Sequence, residues 1–512
     1  MMADRYYLGI DIGTYESKGA LIDQTGRCVA AGACPHGMST PAPGFAEHDA
    51  EQIWWGDFCR LSRDIIQRSG IRPDQIKGVG CSTIAPCCLP VGQDGKPLRP
   101  AILYGVDVRA AREIDEINRT LGEAAILQRC GNPVTSQSVG PKILWLRRHE
   151  PAVYKQTRRF VTGTTYLVAK LTGQWVIDHY TAAYFTPLYH LAANDWDTAA
   201  LDPYCRPDQL ADCRWTDEPA GAVTPQAAEE TGLLAGTPVI TGTADAAAEA
   251  VGAGVFDPGD VMLMFGSSIY MIHVVPKLSV DQRFWAGPYL FQDTWMVAGG
   301  MSTAGTLTRW FRDQLARDTV EQASREGVNA YDLLMRDIDA IPPGSDGLIV
   351  LPYLSGERTP INDPAASGLI FGLSLGHRRE HLYKACLEGV GYGIAQHFSG
   401  FQEMGLKTGR IIAVGGGTRN PSWLQIVADI SGRPLRIGQA NGAAYGDALL
   451  AALGTGELRS PDDIQSRIHL GDPVLPDPGR HKLYQPYCRL YRQLYQQNQK
   501  SMHELYQMKQ ED

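Results

Sequence analysis

The chain has 512 residues, 44% of them hydrophobic and 20% charged, a length that exceeds one hydrophobic core and predicts two large domains. A net charge of -9 argues against broad binding to nucleic acid or an anionic membrane, while leaving room for a local basic pocket that takes phosphates. No apolar stretch is long enough for a signal peptide or a bilayer span, and eleven scattered cysteines fit a reducing cytoplasm.

Short β-type runs alternate with longer helical patterns, which predicts an α/β protein. The chain opens on "YYLGIDIGTYESKGALID" (Tyr6 to Asp23), two apolar runs around a Gly-Thr turn, and a third run, "CVAAG", follows. A helical stretch (Glu51 to Gly70) and an apolar strand, "KGVGCS", come next. "CSTIAPCC" gathers three cysteines, but no second Cys or His pair follows at zinc spacing, so they read as small buried hydrophobes. A polar turn (Gly92 to Lys96) leads on to a Pro- and Gly-rich passage (Glu218 to Ile240) that reads as a boundary. Beyond it the opening pattern returns. "DVMLMFGSSIYMIHVV" (Asp260 to Val275) is again an apolar run, a Gly-Ser turn and an apolar run, which suggests a structural repeat. The tail, from "LYRQLYQQNQK" onward, reads as an amphipathic helix.

Asp11 is the odd residue of the opening strand. A Gly-Thr turn leaves backbone N–H groups open to phosphate oxygens, and a carboxylate at the strand's end can hold Mg²⁺ against them. Alternatively, Asp11 simply begins a turn whose geometry Gly13 satisfies. A second glycine turn, Gly266 with Ser267 and Ser268, favours the first reading, because two such hairpins can clamp a polyphosphate. Neither turn has Walker-loop spacing, "GVGCST" fails the dinucleotide pattern, and no Gly-x-Ser-x-Gly elbow is present. Asp245 sits where an apolar strand gives way to the Ala-rich run "ADAAAEAVGAG". It can cap that helix, and a carboxylate so fixed can also accept the proton of an attacking hydroxyl. In "IIAVGGGTRNPSW" a strand ends in three glycines and a helix begins after Asn420 and Pro421, so backbone can approach a flat ligand such as adenine or its ribose.

Together these stretches resemble the FGGY family of carbohydrate kinases over nearly the whole chain. "LGIDIGTYESKGAL" is similar to that family's first phosphate hairpin, "MFGSSIYM" to its second, and "GTADAAAEAVGAG" to the segment bearing the catalytic aspartate. "PKILWLRRH" and "GLIFGLSLGHRREHLYKACLEG" resemble its two signatures, and "VGGGTRNPSW" its adenosine segment. "EHDAEQIWW" and "LPYLSGERTPINDPAASG" add a xylulokinase-like character.

The resemblance implies two ribonuclease-H-like (actin-like ATPase) domains with an interdomain active-site cleft, divided at 1–247 and 248–512. It implies ATP and Mg²⁺ as cofactors, a sugar as the other partner, neither nucleic acid nor membrane, and it leaves a homodimer open. Carried onto this chain, Asp245 is the general base and also touches the sugar, and Asp11 places the metal. Gly13, Thr14 and Lys18 belong to one phosphate hairpin and Gly266 with Ser267 to the other. Gly305, Gly416, Gly417 and Asn420 surround adenosine. For Lys18 the alternative is a solvated strand residue, and for Gly305 a helix-start glycine.

The sugar site departs from the pattern. Ala85 and Pro86 in "TIAPCCL" stand where xylulokinases usually carry Met and His, and the segment leans toward D-ribulokinase-like members. "YGVDVRAARE" keeps Asp107 and Arg109, which either hydrogen-bond sugar hydroxyls or form an ion pair. The acceptor expected is a ketopentose, xylulose first, with D-ribulose or another polyol as alternatives. An actin- or chaperone-like nucleotide switch with no small acceptor is the rival class. A relative that has lost catalysis and only senses sugar is a third.

Overall fold

The computed structural model of the chain describes residues 4–438 and 442–511. It divides into two units, one of Met1–Phe256 with Val274–Val297 and Asn441–His469, the other of Asp257–His273, Ala298–Ala440 and Leu470–Asp512. The sequence-based division at 247/248 falls inside a helix, Asp245–Gly252.

The first unit is built on a mixed sheet. Its strands are Tyr6–Ile12 (β1), Glu16–Asp23 (β2), Cys28–Pro35 (β3), Ile76–Thr83 (β4), Pro219–Ala222 (β5), Pro238–Ile240 (β6) and Thr243–Ala244 (β7). They lie in the order β5–β6–β4–β1–β2–β3, with β7 also on β4. β1 is buried on both faces after its first residue, as a near-continuous apolar run requires, whereas β3 at the sheet edge is half solvated. β1 and β2 form the opening hairpin, with Asp11 opposite Lys18. β1, β4 and β7 run parallel, Ser82 pairing with both Asp11 and Thr243. Their carboxyl ends therefore converge, which is where parallel α/β sheets present ligand-binding residues.

Helices cover this sheet on two sides. Gly56–Ser69 turns Phe58, Leu61 and Ile65 inward at helical spacing and stops at Gly70, which is left-handed (φ 68°). On the other face lies Gly442–Gly454, "GAAYGDALLAALG", a helix of mostly small residues. A methyl group at Gly9 or Gly80 would overlap the Ala444 or Asp447 carbonyl of that helix, so the strands are glycine there to let its backbone approach. A methyl at Gly446 would likewise overlap the Ala248 carbonyl in the Asp245–Gly252 helix.

The second unit repeats the scheme. Val261–Phe265 (β8) and Ile269–Val275 (β9) form an antiparallel hairpin, and Trp295–Met301 (β10) flanks β9. Ile411–Val414 (β11) runs parallel to β8 and is followed by Arg436–Ile437 (β12). The long helices Arg379–Glu403, Pro421–Ser431 and Pro478–Glu511 pack within this unit. The last of these buries Tyr484, Tyr491, Leu494 and Met502 along one stripe, in accord with the amphipathic tail expected. Among the described residues no helix is long and apolar enough to cross a membrane.

Candidate active site

At the carboxyl ends of β1, β4 and β7 the first unit gathers acids. Asp11 Oδ1 accepts the Ser82 hydroxyl at 3.0 Å, and the same hydroxyl lies 2.7 Å from Asp447 Oδ2. A serine carries one proton, so it serves one carboxylate at a time. Asp447 Oδ1 is buried without a hydrogen-bond partner among the described residues. Asp245 opens its helix directly after β7, and its Oδ1 accepts from the Ala246 N–H at 2.7 Å. Burial pushes Asp245 up to about 7. Asp11 and Asp447 are held well above the ordinary carboxylate range, first by burial and then by the charge of Asp245 and of Asp11 respectively. Burial raises Glu249, one turn further along, as well.

Two buried acids, Asp11 and Asp447, and two half-buried ones, Asp245 and Glu249, with so little positive charge beside them make a site that favours a cation. Lys18 offers only distant relief, since its ammonium is about half exposed and lies 3.4 Å from Glu16. Among the described residues no group of three or more His, Cys, Asp or Glu side chains is arranged to hold a metal by itself. Mg²⁺ does not ask for such a cage, because one or two carboxylates plus water and phosphate oxygens complete its octahedron. Asp11 suits that role.

The hairpin after Asp11 is fastened from behind. Gly13 N–H closes the turn onto the Glu16 carbonyl at 3.1 Å, and a Cβ at Gly13 would stand 2.7 Å from that oxygen. His36 Nε2 donates to the Gly13 carbonyl (3.0 Å) and His48 Nε2 to the Thr14 carbonyl (3.1 Å). His36 Nδ1 in turn meets the fully buried Asp57 at 2.9 Å, which also accepts the Ser17 hydroxyl at 2.7 Å. The Thr14 hydroxyl lies 3.2 Å from that of Tyr104.

In the second unit Gly266, Ser267, Gly305 and Gly417 come together at the end of β8. Gly266 N–H bonds to the Ser268 carbonyl at 3.0 Å to close the turn. The Gly305–Leu315 helix then spends its free N-terminal N–H groups on the hairpin, Gly305 on the Gly266 carbonyl and both Ala304 and Thr306 on that of Ser267. A Cβ at Gly305 would lie 2.6 Å from the Gly266 oxygen, so the residue starts the helix and must also be glycine. Gly417 packs so closely on Phe265 that a Cβ would fall 2.7 Å from its side chain, while Gly416 faces open space. Asn420 caps the Pro421–Ser431 helix through the Trp423 N–H at 3.0 Å.

A clasp absent from the sequence reading holds this region. Arg358 donates to the carbonyls of Ile269 (2.9 Å) and Met301 (2.7 Å), one on each side of the hairpin-and-helix junction. Glu357 Oε1 accepts from the N–H groups of Ser302 (2.6 Å) and Arg358 (2.8 Å), and burial raises the carboxyl to about 7. Thr359 bonds the Gly300 backbone, and Thr303 bonds the Pro352 carbonyl. All three residues of the clasp lie in "LSGERTP", a stretch legible only as a family feature.

Asp107 and Arg109 pair with each other. Asp107 Oδ2 accepts the Ala46 N–H at 2.7 Å and the Arg109 guanidinium at 2.8 Å. Arg109 also reaches Glu47 at 2.7 Å and lies over the Phe45 ring at 4.0 Å. Both side chains are fully buried, while Arg109 Nη1 is left without a hydrogen-bond partner among the described residues. Ala85 is half-buried and Pro86 buried, joined by a cis peptide bond, in the segment after β4. Near them the buried Lys142 ammonium donates to the Ser136 carbonyl at 2.7 Å, and burial lowers it to about 8.

The fold has close counterparts. The crystal structure of xylulose kinase from Rhodospirillum rubrum superposes with a TM-score of 0.90 at 32% identity, covering 98% of this chain and all (100%) of that one. Xylulose kinase of Escherichia coli (strain K12) is 31% identical over 503 residues, 96% of this chain and 99% of its own length. Gluconokinase of Bacillus subtilis (strain 168) is 29% identical over 467 residues, 90% of each chain. These counterparts define a two-domain sugar phosphotransferase of actin-like ATPase architecture. Residues 6–252 match the N-terminal domain of the FGGY family of carbohydrate kinases and residues 261–455 its C-terminal domain. The chain belongs to that family and is an ATP-dependent carbohydrate kinase.

Proposed function

We propose that this kinase moves the γ-phosphoryl group of ATP onto a hydroxyl of a ketopentose, with xylulose the foremost acceptor. The names of relatives matched over 90% or more of this chain support that choice, and gluconate and ribulose stand behind it. The observation that carries the mechanism is Asp245, half-buried at a strand-to-helix junction near Asp11 and raised to about 7. A carboxylate raised toward neutral pH is a stronger base than an exposed one, and about half of it is ionised at pH 7. Asp245 takes the proton of the attacking hydroxyl as its oxygen bonds the γ-phosphorus and the bond to ADP breaks; ADP and a sugar phosphate leave.

Asp11, with the Ser82 hydroxyl between it and Asp447, would hold Mg²⁺, which when bound would offset charge on the transferring phosphoryl group. The turns at Gly13 and Gly266 take phosphate oxygens on backbone N–H groups, with Thr14, Lys18 and Ser267 in support. Gly305, Gly416, Gly417 and Asn420 border adenosine. Ala85 and Pro86 face the acceptor, while Asp107 and Arg109 stiffen the wall behind it. Eleven unpaired thiols fit a cytoplasmic location.

The test offers xylulose, D-ribulose, L-ribulose, gluconate and glycerol with MgATP and follows ADP release. Sugar-dependent release, fastest with xylulose, is expected; release independent of any sugar would favour a nucleotide switch instead. Asp245→Asn should retain ATP binding and lose roughly 10²–10⁴-fold in turnover. An unimpaired Asn variant would remove Asp245 from its role.

A further inference from the structure

The second unit carries a pocket that none of the chemistry above uses. It lies between the Arg379–Glu403, Pro421–Ser431 and Pro478–Glu511 helices and encloses about 230 Å³. Arg433, Arg489 and Arg492 line it, and no acidic residue does, in a chain whose acids outnumber its Lys and Arg by 56 to 47. Arg433 follows the left-handed Gly432 that ends the middle helix and is half-buried, its guanidinium 5.1 Å above the Phe398 ring. Burial lowers its pKa, and no neighbouring charge opposes that shift. Among the described residues none of the three arginines has a carboxylate within ion-pair distance. The nearby acid is engaged elsewhere, since Asp429 accepts from Gln425 and from the Asp477 N–H and lies 3.7 Å from Arg480. His481 donates Nδ1–H to the Asp429 carbonyl at 2.8 Å, and the Gln485 amide nitrogen lies 3.2 Å from its Nε2.

We infer that this pocket binds a small phosphate-bearing anion. Three guanidiniums line this one cavity, and burial takes part of the Arg433 guanidinium away from water. A ligand of two or more negative charges offsets that desolvation and the cavity's unbalanced positive charge, and the planar donor fork of arginine matches phosphate oxygens in pairs. The volume is below the roughly 300–1,000 Å³ of pockets for drug-sized ligands, which selects a compact molecule. The inference does not depend on the acceptor sugar.

Pyrophosphate is the probe, titrated calorimetrically into the full chain already saturated with ADP so that the nucleotide's own phosphate contacts are occupied. Saturable one-to-one binding is expected, weakened at least tenfold by Arg433→Gln and by raised salt. Gln396→Glu, which adds a carboxylate to the pocket without removing an arginine, should weaken it as much and serves if Arg433→Gln misfolds. Absence of saturable binding, or binding that both substitutions leave unchanged, overturns the assignment.

Discussion

Arg358 shows how one side chain can fasten the hairpin-and-helix junction proposed to border the nucleotide. Its guanidinium spans the Ile269 and Met301 carbonyls, while Glu357 beside it accepts from Ser302. Bonds from a charged donor to carbonyls are each worth about 1.5–3 kcal/mol. Removing both frees the ends of β9 and β10, between which the Gly266 turn and the Gly305 helix start are stitched. Arg358→Ala should therefore raise KM for ATP tenfold or more while KM for the sugar stays within twofold. Arg358→Lys, able to reach one carbonyl, should fall between the two. Steady-state kinetics with each substrate varied decides it; equal change in both constants would reduce Arg358 to a general stability role.

Among elements, the Gly442–Gly454 helix is the one on which the acidic site rests. It delivers Asp447 to Ser82 only because Gly9, Gly80 and Gly446 let backbone meet backbone. Gly9→Ala drives a methyl into the Ala444 carbonyl, and overpacking of this kind costs about 1–3 kcal/mol. Gly37→Ala is the matched control, because a Cβ there meets nothing within 4 Å. Urea unfolding of the two variants should separate them by that amount. Coincident curves would mean the helix shifts aside freely.

For the whole molecule, binding and stability are linked, since any ligand held by the folded chain alone raises its melting temperature. MgATP should raise Tm, and EDTA should remove most of the rise if the metal bridges nucleotide to protein. In Asp11→Ala the Mg²⁺-dependent part should vanish while a smaller metal-free ATP effect persists. A full Mg²⁺ effect in that variant would place the metal elsewhere. Thermal shift assays with and without EDTA measure all three conditions.

The local chemistry was legible in the chain. Strand, glycine turn and strand around Gly13 and Gly266, the Asn420–Pro421 helix start, and Asp245 at a strand-to-helix junction all follow from backbone sterics within a few residues. The family itself was readable from the order of those pieces. Which charges are buried together could not be read that way. Ser82 meets Asp447 across 365 positions and Arg358 meets Ile269 across 89, and nothing near either residue encodes the other. Asp107 and Arg109 read equally suited to a sugar or to each other, and nothing near them in the chain encodes the packing of Glu47, Phe45 and the Ala46 N–H against the pair. Backbone conformation is decided by neighbours in the chain, whereas desolvation and pairing are decided by whatever the packed sheet and helices bring alongside.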